Sequence, residues 1–325
     1  VRGGASGVRS TDRVSLSFAV DTLRGVLRGE ELAGAGRSEV ELPLGPEGPR
    51  FEEARAVVER LALSWRQGWL EASGTVEDTV GFSLQASLPD PSHALPETRG
   101  RAAESLRARG PRAQPRAELA LAAYELARDT VAGMPPLLDS LTLTLSGTPG
   151  AHDSELLAGR GGGTLGLTAS GSYDDRAWSG SVDRVELSDP EIGSWELAEG
   201  VRLSVSEDSV TLDRLCLVQE PSRACVSGLW RATGTSSAEI VLEELTGRRL
   251  AELLPANWMI SGQLGARASG TLESDGSLTA DGFVDLGSGT IELGRGVSGR
   301  RLTYTDLGLE GAVDEAGARL SVATE

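Results

Sequence analysis

Leu141-Thr142-Leu143-Thr144-Leu145-Ser146-Gly147 is the stretch that decides the fold. Successive side chains of a β-strand point to opposite faces. Leu141, Leu143 and Leu145 therefore share one face, and Thr142, Thr144 and Ser146 share the other. The same alternation recurs at Val201, Leu203 and Val205, at Val210 and Leu212, and at Ile291 and Leu293. Nearer the start it appears at Leu16, Phe18 and Val20, at Leu61, Leu63 and Trp65, and along Phe82, Leu84, Ala86 and Leu88. Turn pairs such as Asp174-Asp175, Asp189-Pro190, Glu207-Asp208 and Asp275-Gly276 separate the segments beyond Leu137. That spacing suits hairpins and is too short for strand–helix–strand crossovers, so the pattern predicts a mainly β protein built on a long antiparallel sheet with one apolar face.

Two segments read as short helices. Ala117–Val131 is rich in Ala, Leu and Glu, with an apolar stripe at Leu119, Ala122, Ala123, Leu126 and Ala127 and a stop at Pro135-Pro136. Glu243–Leu254 carries Leu245, Arg249 and Leu253 at helical spacing and ends at Pro255. Between the strand-like segments and the first helix, Pro89, Pro91, Pro96, Pro111 and Pro115 interrupt an Arg/Ala/Gly-rich stretch that reads as an irregular connection. The expected organisation is a β-rich segment over 1–88, a linker plus helix over 89–136 and a second β segment over 137–325.

Composition narrows the function. Only 39% of the 325 residues are apolar, aromatics make up 4%, and 42 are glycine, which suits thin repetitive β layers better than a dense central core. The formal charge of −17 argues against nucleic acid and against adhesion of the whole surface to anionic lipid. No run approaches the length of a membrane-spanning helix. The chain starts at Val1 in mid-pattern, without a signal-peptide pattern, and reads as a piece of a longer protein.

Motifs for chemistry are missing. The Gly159–Gly163 cluster lacks the lysine of a phosphate loop, and neither a nucleophile elbow nor a metal-binding His-Glu-x-x-His helix occurs. Two histidines, His93 and His152, leave no His-based triad, so no catalytic residue, cofactor or metal is expected. The acidic residues Asp183, Asp189 and Glu191 are the nearest approach to a calcium site, without the twelve-residue loop such a site needs. Trp65, Trp69, Trp178, Trp195, Trp230 and Trp258 either line an apolar passage or anchor a thin sheet. Cys216 and Cys225 flank a turn at Pro221-Ser222; a hairpin there brings the sulfurs within disulfide reach, the alternative being two buried thiols on paired strands.

Read in order, several segments resemble the TamB family of AsmA-like envelope proteins. They are Leu143–His152, the Trp178-Ser179-Gly180 strand through Leu187, Gly193–Leu197, the pair Leu212–Leu217 and Ala224–Trp230 that carries both cysteines, and Ser261–Gly270. The resemblance covers residues 137–325; residues 1–136 match in style only. It implies a β sheet curled into an open, taco-like apolar trough, in a periplasmic protein anchored in the inner membrane. It also implies phospholipid as cargo, a role in outer-membrane biogenesis and, for the full-length protein, pairing with a TamA-like outer-membrane barrel. The candidate lipid-groove residues are Leu141, Leu143, Leu145, Val201, Leu203, Val205, Leu215 and Leu217, with face assignment sensitive to strand register. The rival role is a structural scaffold with a closed, dry β core.

Overall fold

A computed structural model describes residues 2–27, 30–45, 48–50, 53–91, 98–128, 137–246, 258–293, 300–314 and 317–323. The chain divides into two compact units, Val1–Gly161 and Gly162–Glu325.

The first unit is an antiparallel meander. Its strands are β1 (Arg2–Arg9), β2 (Arg13–Leu27), β3 (Glu30–Gly45), the two-residue β4 (Gly48–Pro49), β5 (Arg55–Trp65), β6 (Gly68–Val76), β7 (Thr79–Leu88), β8 (Thr98–Pro111), β9 (Arg116–Arg128), β10 (Leu138–Thr148) and β11 (Ala151–Arg160). Apart from β4, which pairs only with β3, each strand pairs with the next along the chain. Alternation sorts the side chains. Leucines and alanines gather on one face, while arginine, glutamate and serine occupy the other, where Arg13–Glu41, Arg37–Glu59 and Arg60–Glu71 pair at 3.1–3.4 Å. Such exposed pairs contribute at most about 1 kcal/mol each; they fix register more than stability.

The second unit repeats the scheme. Its strands are β12 (Gly163–Asp174), β13 (Ala177–Asp189), β14 (Gly193–Leu197), β15 (Val201–Ser206), β16 (Ser209–Gln219), β17 (Ser222–Arg231), β18 (Ser236–Thr246), β19 (Trp258–Ser261), β20 (Gln263–Leu272), β21 (Leu278–Asp285), β22 (Gly289–Leu293), β23 (Arg300–Tyr304), β24 (Gly308–Asp314) and β25 (Gly317–Ala323). β14 and β15 act as one interrupted strand: both lie between β13 and β16, joined through residues 198–200. The ladder then continues through β17, β18, β20, β21, β24 and β25. β19, β22 and β23 form a separate small sheet.

Two glycine sites show how closely the backbones approach. A Cβ on Gly180 would fall 2.1 Å from the Ser170 carbonyl oxygen and 2.7 Å from the Trp178 ring, so that ring lies over bare backbone. Gly262, at φ +117, turns the chain from β19 in the small sheet to β20 in the main one, in a conformation that disfavours a side chain.

Three expectations change. Among the described residues there is no α-helix. Ala117–Val131 was expected to be helical, but Arg116–Arg128 is strand β9; residues 129–131 lie outside the described ones. Its Ala/Leu/Glu content favours a helix locally, yet β8 and β10 offer a hydrogen-bond ladder on both sides, and Ala117, Leu119, Leu121 and Ala123 also alternate at period two. Tertiary pairing overrides intrinsic propensity here. Of the second expected helix, 243–246 belong to β18 and 247–254 lie outside the described residues. The supposed linker over 89–116 contains the fourteen-residue strand β8: Pro111 stands at its end and Pro115 in the following turn, so neither interrupts a ladder.

Candidate functional site

The candidate site is the apolar face, which differs between the two units. In the first unit the register aligns side chains into rows that cross the strands. One row runs Leu61, Ala72, Leu84, Leu106, Leu119, Leu145. The next runs Leu63, Leu70, Ala86, Glu104, Leu121, Leu143, Leu156. A third joins Leu88, Ala102, Ala123, Leu141 and Ala158. Directly paired side chains lie roughly 5 Å apart, close enough for each row to form a continuous surface.

The side chains of that surface are only partly covered. Ala72, between Leu61 and Leu84, and Ala123, between Ala102 and Leu141, are buried, at 7% and 4% exposure. The leucines themselves stay half-buried, and Leu61 is exposed. In a two-sheet sandwich a facing sheet about 10 Å away would seal these side chains. Leu141, Leu143 and Leu145 are half-buried members of a long apolar face.

In the second unit the face is closed at one end and open at the other. Val182, Val185 and Val201 form a buried cluster, with Leu165, Leu167, Leu197, Leu203, Leu212, Leu215 and Leu217 against it. Val201 opposes Val182 across the β13–β15 ladder. Val205, four residues on, opposes Trp178 and is 37% exposed. Of the five predicted groove residues here, Val201, Leu203, Leu215 and Leu217 thus belong to a packed core, and Val205 lies at its margin. Beyond β16 the face opens. Trp230, Ile240, Leu272 and Leu278 are each 45–49% exposed. Val210, Leu212, Val226, Trp230, Leu272 and Leu278 contribute to an apolar groove of about 420 Å³, with Gly228, Ala238 and Gly270 along its floor. Sequence reading placed strands here and offered Trp230 as a possible lining of an apolar passage, but none of the other groove residues was a candidate. The signal was present in the alternation of Val226, Gly228 and Trp230.

The tryptophans divide accordingly. Trp195 is buried and donates its indole N–H to the Ile192 carbonyl at 3.1 Å, as an anchor does. Trp230 stands open on the apolar face, and Trp69 is exposed on the polar one. The side chain of Trp258 lies outside the described residues.

Cys216 and Cys225 are disulfide-bonded, in direct register across β16 and β17. Cys216 falls between Leu215 and Leu217, so the bridge occupies the face opposite those leucines. At 3% exposure it braces the ladder and does not line the apolar surface.

The acidic residues once considered for calcium are engaged otherwise. Asp183 accepts hydrogen bonds from the Ser170 and Ser181 hydroxyls, and Asp189 accepts from the backbone N–H groups of Glu191 and Ile192 in a turn. No cluster of three metal-ligating side chains occurs among the described residues. Electrostatic perturbation is peripheral. The Ser10 hydroxyl and then Arg13 hold the Asp12 carboxyl below its ordinary range, and desolvation raises the Tyr304 phenol, whose hydroxyl donates to the Ser261 carbonyl at 2.8 Å.

In each unit an antiparallel sheet presents an apolar face, and no cluster of three metal-ligating side chains occurs among the described residues. The chain belongs to the TamB family: residues 137–325, more than half its length, match the family model described as TamB, N-terminal domain. No curated protein and no solved structure matches it. The family comprises structural and transport components of the cell envelope, and the protein is not an enzyme. Among the described residues no helix is long and apolar enough to cross a membrane.

Proposed function

We propose that this chain is a segment of a periplasmic lipid conduit, within a protein anchored in the inner membrane, that shields phospholipid acyl chains between the inner and outer membranes. The supporting observation is the partly exposed apolar face: rows of half-buried leucines across β5–β11, and exposed Trp230, Ile240, Leu272 and Leu278 farther along the chain. Each acyl methylene kept from water is stabilised by about 0.8 kcal/mol, so shielding a chain of a dozen methylenes offsets on the order of 10 kcal/mol. A smooth apolar surface gives that stabilisation without a tight local site, which leaves cargo free to slide. Support of outer-membrane biogenesis, with a TamA-like barrel as partner of the full-length protein, follows from family membership and belongs to the same proposal.

The sealed cluster of Val182, Val185 and Val201 favours a second, local role as a structural brace. The test is site-specific photo-crosslinking in the native envelope. Probes at Leu145 and Ile240 should capture phospholipid; a probe at Thr144, on the polar face, should not. Equal silence at all three positions would remove the conduit reading and leave the brace.

A further inference from the structure

Glu104 interrupts the apolar face. Its direct cross-strand neighbours are Ala86 and Leu121, and its same-face neighbours along β8 are Ala102 and Leu106. Within the three rows described above it is the one charged side chain. It is half-buried, and no side-chain hydrogen bond or ion pair joins its carboxylate to another described residue. The arginines of β8, namely Arg99, Arg101, Arg107 and Arg109, are exposed, and Arg107 and Arg109 alternate onto the opposite face.

We propose that Glu104 is a positioning residue that keeps hydrocarbon off its own row and leaves the row Ala72–Leu84–Leu106–Leu119–Leu145 as the main lane; the row on its other side offers alanine at Ala102 and Ala158 and a buried Ala123, and so less apolar area. The inference rests on the lipid reading and adds to it where on the sheet the acyl chain runs. A carboxylate must keep water or a cation beside it, and hydrocarbon laid over it strips that water without replacing its hydrogen bonds. The row through Glu104 is therefore closed to an acyl chain crossing β8. The adjacent row through Leu106 is displaced by two residues, roughly 7 Å, and presents only apolar side chains from Leu61 to Leu145. A chain lying there covers leucine on every strand but β6, where Ala72 stands, and leaves the carboxylate hydrated at its flank.

Leu119 and Leu121 make the comparison direct. They are the same residue type, on the same face of the same strand, one opposite Leu106 and the other opposite Glu104. A diazirine analogue of leucine placed at either position in the full-length protein should capture phospholipid at least fivefold more often at 119 than at 121. Glu104→Leu should raise capture at 121 to the level of 119, and Glu104→Gln should raise it part of the way. Equal capture at the two positions in the wild-type protein would overturn the lane while leaving the conduit intact, and that comparison needs no substitution at Glu104. An unchanged ratio in a folded Glu104→Leu protein, with its wild-type circular dichroism retained, would overturn the role of the carboxylate. Silence at 119, 121 and 145 alike would overturn the lipid reading and the lane with it.

Discussion

Val201 and Val205 sit four residues apart on one strand and one face, and the structure assigns them different energetics. Truncation to alanine removes two methyl groups, each contributing about 0.8 kcal/mol when fully buried. Val201 is 4% exposed and sealed against Val182 and Val185. Val201→Ala should therefore lose about 1.5 kcal/mol of transfer energy and leave a void between the other two valines, for a total near 2 kcal/mol. Val205 is 37% exposed beside Trp178. Val205→Ala forfeits only part of the transfer energy and opens no closed cavity, so its cost should stay below about 1 kcal/mol. Equilibrium urea unfolding of delipidated protein, followed by circular dichroism and tryptophan fluorescence, measures both as midpoint shifts at constant slope. A midpoint shift for Val205→Ala equal to or larger than that for Val201→Ala would refute the division of this face into a sealed core and an accessible margin.

Replacing both Cys216 and Cys225 by alanine opens a loop spanning nine residue positions and should cost about 2–3 kcal/mol, read as a lowered denaturation midpoint that reductant no longer changes. Gly180→Val drives a side chain into the Ser170 carbonyl and the Trp178 ring; a destabilisation of about 1–3 kcal/mol with altered Trp178 fluorescence is expected, and a silent substitution would contradict the close approach. Ser10→Ala removes the foremost cause of the depressed Asp12 titration, so NMR should show that titration moving up toward its ordinary value. The sign follows from linkage: a carboxyl whose folded pKa is depressed contributes stability above its unfolded value, and this is lost as pH falls through the folded one. The variant should thus differ from wild type at neutral pH and converge with it in strong acid.

Alternation alone determined the strands of the second unit, because a half-buried strand must repeat at period two whatever its partners. Leu141, Leu143 and Leu145 could be placed on one face without coordinates, as could the chance of a Cys216–Cys225 bridge across a hairpin. The tertiary structure decided the rest. Ala117–Arg128 fits both a helical and a strand period, and only the ladders supplied by β8 and β10 choose between them. Thr98–Pro111 hid its alternation behind small alanines and terminal prolines. Which leucines are sealed and which stay accessible depends on what packs above a face, a property of distant segments that local periodicity does not carry. For the same reason Glu104 passed as one acid among many in the sequence: its isolation follows from the register of β7 and β9, which surrounds a single carboxylate with alanine and leucine.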